Sequence, residues 1–121
     1  MEALKVLVIE DDELISMLLR EILEDLGHHV CATVATEEDA VLVADRCKPD
    51  LMIVDEHLRQ GTGASAVERI LLNRSIPYVF ISGAHVHGAR QGAKVLRKPF
   101  LLQDLARAIQ DCVTDVPVFP D

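Results

Sequence analysis

With 121 residues, 50% of them hydrophobic and 26% charged, the chain reads as one globular domain rather than a disordered or fibrous one. Its net charge of −8 argues against a phosphate-gripping face, and so against direct nucleic-acid binding. Cys31, Cys47 and Cys112 lack metal-ligand or redox spacing, which predicts buried free thiols in a reducing compartment. With no apolar run of membrane-spanning length and no signal-peptide-like start, a cytoplasmic protein without a membrane partner is expected.

The predicted elements alternate in period. Leu4 to Ile9 is a near-continuous apolar run, the mark of a strand buried on both faces. Residues 13–26 repeat at helical spacing through Ile15, Leu18, Leu19, Ile22 and Leu26, and Gly27 supplies the stop. "HVCATV" predicts a short strand, and "ATEEDAVLVADRC" a helix with acids in its first turn and Thr36 as N-cap. After the breaker pair "KP", "DLMIVD" is a second buried strand. "QGTGA" is then a glycine loop and "SAVERILLN" a helix. "PYVFIS" and "AKVLR" are strands four and five, and "LLQDLARAIQDCV" is the last helix. Strands alternating with helices imply an α/β fold, a parallel sheet covered on both faces. The proline-rich ending "TDVPVFPD" reads as a tail or the start of a linker.

In such sheets chemistry collects beyond the carboxyl ends of the strands. Glu10 and Asp11 end strand one, Asp55 ends strand three, Ser82 ends strand four and Lys98 follows strand five, ahead of Pro99. Two carboxylates about 4 Å apart repel by roughly 4 kcal/mol at an effective dielectric of 20, so a cluster of acids calls for something positive among them.

"VLVIEDDEL", "LMIVDEHL", "VFISGA" and "VLRKPF", in this order at strand ends, resemble the signatures of a response-regulator receiver domain of two-component signalling. The resemblance spans residues 4 to about 113 and implies a doubly wound, flavodoxin-like five-stranded sheet of order 2-1-3-4-5. It places a receiver domain over 1–115, with 116–121 as tail or linker. Asp55 matches the aspartate that receives the phosphoryl group, Ser82 the conserved-type hydroxyl and Lys98 the lysine before proline. The implied metal is Mg²⁺, with Mn²⁺ as a substitute, held by Asp11, Asp55, the backbone carbonyl of His57 and, through water, Glu10. Asp12 falls outside that set. A cis bond is expected between Lys98 and Pro99. The implied partners are a sensor histidine kinase or histidine phosphotransfer protein and a downstream effector protein, for a monomer or weak homodimer. The chemistry is that of a switch or phosphate shuttle rather than an enzyme with turnover.

Two other classes compete. A small metal-dependent phosphohydrolase with an aspartyl-phosphate intermediate would usually carry an acid two residues after the nucleophile, where His57 stands. A flavin- or nucleotide-binding domain would need a phosphate-cradling loop after strand one, and "EDDELIS" repels phosphate unless metal is bound.

The chain also departs from the family pattern. Arg59 stands four residues after Asp55, where proline is usual, and Val95 stands where an aromatic switch residue is usual. Between Ser82 and strand five, "GAHVHGARQG" holds three glycines and one large apolar residue, which predicts a shortened or missing fourth helix and pairing, if any, through another surface. His85 and His87 in that stretch read as solvated loop residues. In the first helix, Leu14 and Met17 fall outside the buried face, and Leu14 and Ile15 are expected to help dock the phosphodonor protein.

Overall fold

The computed structural model describes residues 3–83 and 94–114. The strands are β1 (Lys5–Ile9), β2 (His29–Val34), β3 (Leu51–Asp55), β4 (Tyr78–Ser82) and β5 (Lys94–Arg97). The helices are α1 (Glu13–Asp25), α2 (Glu37–Cys47), α3 (Gly63–Leu71) and α4 (Leu102–Thr114). All strand pairs are parallel and the order is β2-β1-β3-β4-β5. The predicted shortening or loss of a helix between β4 and β5, with His85 and His87, falls on residues 84–93, outside the described residues, as does the predicted tail.

The near-continuous apolar strands are explained by two separate cores. On one face Leu7, Ile9, Met52, Val54 and Phe80 pack with Ala40 and Ala44 of α2 and Ala66, Val67 and Ile70 of α3. On the other, Val6, Val8, Ile53, Val79 and Ile81 pack with Leu19 and Leu23 of α1 and Leu105 and Ile109 of α4. Alternate residues of one strand feed opposite cores, so no face of β1 or β3 is left for polar side chains.

Local chemistry sets the helix ends. Asp12, Thr36 and Thr62 N-cap α1, α2 and α3, their side-chain oxygens accepting from backbone N–H groups of the first turn. Gly27 ends α1 at φ +92°, where its N–H bonds the Glu24 carbonyl.

Two expectations are corrected. Of the expected α1 face Leu19 is buried and Ile15, Ile22 and Leu26 pack half-buried against the core, but Leu18 is 48% exposed and the fully buried positions are Ser16, Leu19 and Leu23. Both stripes fit a helical period, and the rotation the sheet selects leaves Leu14, Met17 and Leu18 as an apolar patch on the solvent side. The three cysteines are free but half-buried rather than buried. Cys31 occupies the irregularity where β2 slips against β1, and its thiol bonds the Val6 carbonyl at 3.3 Å.

Candidate functional site

The carboxyl ends of β1, β3 and β4 bring the polar positions together. The Glu10 N–H bonds the Val34 carbonyl at 2.9 Å, which carries the sheet pairing one residue past β1 and points the Glu10 side chain inward, 3% exposed. Asp55 closes β3 and is 6% exposed, and Ser82 closes β4 at 1%. Carboxylate oxygens of Glu10, Asp11 and Asp55 lie within 4.8 Å of one another. Lys98 arrives from β5 with its N–H on the Ser82 carbonyl at 2.8 Å. Its ammonium stands 3.2 Å from Glu10 Oε1 and 3.7 Å from Asp55 Oδ1. The Lys98–Pro99 bond is cis.

One lysine does not balance three acids. Burial pushes the Glu10 carboxyl up to about 7; the Asp12 N–H on its Oε2 opposes this, the Asp55 charge and hydrogen bond add to it, and Lys98 offsets part. The consecutive acids have separate jobs. Asp12 caps α1, its Oδ1 accepting from Leu14 N at 2.9 Å and Ile15 N at 3.2 Å, and so turns away from the cluster. Glu10 and Asp11 remain. An all-oxygen set of clustered carboxylates fits a hard divalent cation.

The loop from Glu56 to Thr62 is held from two sides. Gly63 N–H bonds the Glu56 carbonyl at 2.8 Å, and a Cβ at Gly63 would overlap the Asp55 carbonyl oxygen, so only glycine lets α3 start this close to Asp55. Across the sheet end, Thr36 pairs with Gln60, and Glu37 N–H reaches the Gln60 carbonyl at 3.0 Å. The Glu37 carboxylate accepts from Thr62 N (3.2 Å), Ser65 Oγ (2.8 Å) and Arg69 Nη1 (2.9 Å). Gly61, at φ +81°, passes directly beneath it. Sequence reasoning reads Glu37 only as a first-turn acid. Its hydroxyl and guanidinium partners lie 28 and 32 residues away, beyond any local pattern.

His57 sits in this loop with an exposed side chain and pairs with Thr62 through the backbone. Val95 is 44% exposed on β5. Beside the acids a cleft of about 350 Å³ opens between the β1, β2 and β3 ends, lined by Glu10, Asp11, Glu13, Met17, Thr33 and Arg59 among others.

Residues 6–110 match the family model of the response regulator receiver domain. The chain belongs to that family. It is 32% identical over 117 residues to the phyllosphere-induced regulator PhyR of Methylorubrum extorquens, covering 92% of this chain and 44% of that protein. The solution structure of the PhyR receiver domain from Erythrobacter litoralis superposes with a TM-score of 0.85 at 30% identity, over 98% of this chain and 97% of that one. The receiver domain of the sensor histidine kinase PA1611 from Pseudomonas aeruginosa, whose structure has a magnesium ion coordinated in the active-site cleft, gives 0.81 at 26% identity, over 93% and 98%. The chain spans about half the length of these curated relatives, 44% of PhyR and 57% of the transcriptional regulatory protein PdtaR of Mycobacterium tuberculosis. The chain is therefore a receiver domain of two-component signalling, with the doubly wound order its motifs imply. Among its described residues no helix is long and apolar enough to cross a membrane.

Proposed function

We propose that Asp55 is the phosphoacceptor of a cytoplasmic two-component relay. The observation behind this is one buried carboxylate at the end of β3, its oxygen 3.7 Å from Lys98 and clustered with those of Glu10 and Asp11. The receiver unit runs over 1–115, with 116–121 as tail or linker. The donor is a sensor histidine kinase or histidine phosphotransfer protein, and the phosphorylated state is read by a downstream effector protein.

Asp11, Asp55, the His57 carbonyl and, through water, Glu10 would hold Mg²⁺, with Mn²⁺ as a substitute. When bound, the ion supplies positive charge to the oxygens of the transferring phosphoryl group. The protein's own groups do the rest. An Asp55 oxygen forms the new bond to phosphorus as the donor's phosphorus–nitrogen bond breaks, its electron pair leaving with the imidazole. The Lys98 ammonium, already between Glu10 and Asp55, follows the new negative charge as a point cation. Ser82 donates its hydroxyl to a phosphoryl oxygen. With Val95 in place of an aromatic ring, readout runs through these two contacts and not through an inward-swinging side chain.

The test is labelling with Mg²⁺ and a small phosphodonor, followed by intact-mass spectrometry. Wild-type protein should gain one phosphoryl group, Asp55→Asn none, and Asp11→Asn should bind Mg²⁺ much more weakly in calorimetry. Undiminished labelling of Asp55→Asn at another residue would sink the assignment.

A further inference from the structure

Arg59 is the sequence departure that the phosphoacceptor chemistry above leaves without a role. Its side chain is exposed and lines the cleft of about 350 Å³ that also touches Glu10, Asp11 and Glu13. The chain places it firmly. Arg59 N–H reaches the Ala35 carbonyl at 3.4 Å, and the next residue, Gln60, is bound to Thr36 and Glu37. Its charge is also uncommitted. Arg69 and Arg74 pair with Glu37, Glu38 and Asp45, but among the described residues no carboxylate lies in ion-pair range of the Arg59 guanidinium. A cation that faces acids without pairing with them keeps its fork of donors for something that enters the cleft.

The cleft's position says which part of a donor that is. Glu10 and Asp11 line it and Asp55 does not, so the space adjoins the phosphoryl site without containing the nucleophile. Resting on the phosphoacceptor reading, we infer that Arg59 sorts small-molecule donors, which reach Asp55 without the histidine protein, by their leaving group, favouring those whose leaving group departs as an anion. With an acyl phosphate, the Asp55 oxygen attacks phosphorus, the phosphorus–oxygen bond to the acyl group breaks, and its electron pair leaves on a carboxylate. That developing carboxylate matches a guanidinium in shape and charge. A phosphoramidate leaves as neutral ammonia after proton uptake and gains nothing from the same contact. Arg59 also offsets the field of Glu10, Asp11 and Glu13, which repels any anionic donor approaching a chain of net charge −8.

The experiment times Asp55 phosphorylation by intact mass in the wild type, Arg59→Ala and Arg59→Lys, with acetyl phosphate and with phosphoramidate, each with Mg²⁺ at low and high salt. Arg59→Ala should slow the acetyl phosphate reaction roughly ten-fold, the scale of one charge-assisted contact, and change phosphoramidate by less than about two-fold. Arg59→Lys should fall between, keeping the charge but losing the fork. Added salt should narrow the gap between wild type and Arg59→Ala. Equal slowing with both donors, or no slowing with acetyl phosphate, overturns the inference and leaves Asp55 as phosphoacceptor untouched. Failure of both donors to label Asp55 in the wild type overturns both.

Discussion

Gly63→Ala tests how closely the start of α3 is built against Asp55. A methyl group there overlaps the Asp55 carbonyl oxygen and stands 2.7 Å from Val54 Cγ1 and 3.0 Å from the Asp55 carbonyl carbon. Carbon–carbon contacts relax at about 3.5–4.0 Å, so α3 must retreat by about 1 Å. Overpacking of this kind costs about 1–3 kcal/mol. The retreat also stretches the 2.8 Å bond from Gly63 N–H to the Glu56 carbonyl, worth about 1 kcal/mol. Together they come to about 3 kcal/mol, which for a domain of this size lowers the melting temperature by roughly 10 °C. Thermal unfolding by circular dichroism measures this directly, and phosphodonor labelling should slow in the same variant because β3 carries the strain to Asp55. A melting temperature within about 2 °C of wild type, with labelling intact, would refute the reasoning.

Asp12→Ala should cost about 1 kcal/mol through loss of the α1 cap, while Asp12→Ser restores it; both should keep Mg²⁺ affinity within about three-fold of wild type, since Asp12 faces the helix rather than the cluster. Burial holds the His28 imidazole below its ordinary pKa, and its Nδ1 accepts the Leu4 N–H at 3.1 Å, a bond open only to the neutral ring. The unfolded chain therefore takes up the proton first: stability from His28 is full above about pH 6.5 and is lost as pH falls through the lower folded value. Glu10, pushed up to about 7, acts in the opposite sense over this range but is common to both proteins, so urea midpoints measured from pH 7.5 to 5 should fall in the wild type relative to His28→Gln; parallel curves would count against this. Lys98→Ala should slow phosphorylation yet raise Mg²⁺ affinity several-fold, because the ammonium competes with the ion for Glu10 and Asp55; titration calorimetry decides the sign. Leu14→Glu, in the exposed patch with Met17 and Leu18, should reduce transfer from a phosphodonor protein and spare small-molecule labelling; equal loss of both would point to misfolding.

The strands were legible because burial on both faces leaves an unmistakable apolar run, as in "VLVI" and "LMIV". The meeting of Glu10, Asp11, Asp55 and Lys98 was legible for a different reason: a parallel sheet has one chemical edge, so residues ending its strands must converge. Rotation about a helix axis was not legible. Leu18 and Leu23 each share a helical face with different neighbours (Leu18 with Ile15 and Ile22, Leu23 with Leu19), and only packing against Val6, Val8 and Ile53 decides between them. The Glu37 contacts to Thr62, Ser65 and Arg69 were hidden too, since they join the start of α2 to a helix that is distant in the chain. Asp12 lies between these cases. Its cap is a local signal, but three neighbouring acids compete for it until the backbone turn assigns it.

The position of β5 has a consequence for how the site comes apart. All five residues of β3 are buried, and the strand lies between β1 and β4, so its amides should open only at a free energy near that of global unfolding. β5 is an edge strand with Val95 44% exposed and Leu96 half-buried, so it can detach at lower cost. Asp55 and Lys98 thus ride on units of different local stability. Native-state hydrogen exchange should find Ile53, Val54 and Asp55 among the slowest amides and Leu96 to Lys98 markedly faster, so that a subglobal fluctuation removes the cation while the carboxylates hold their places.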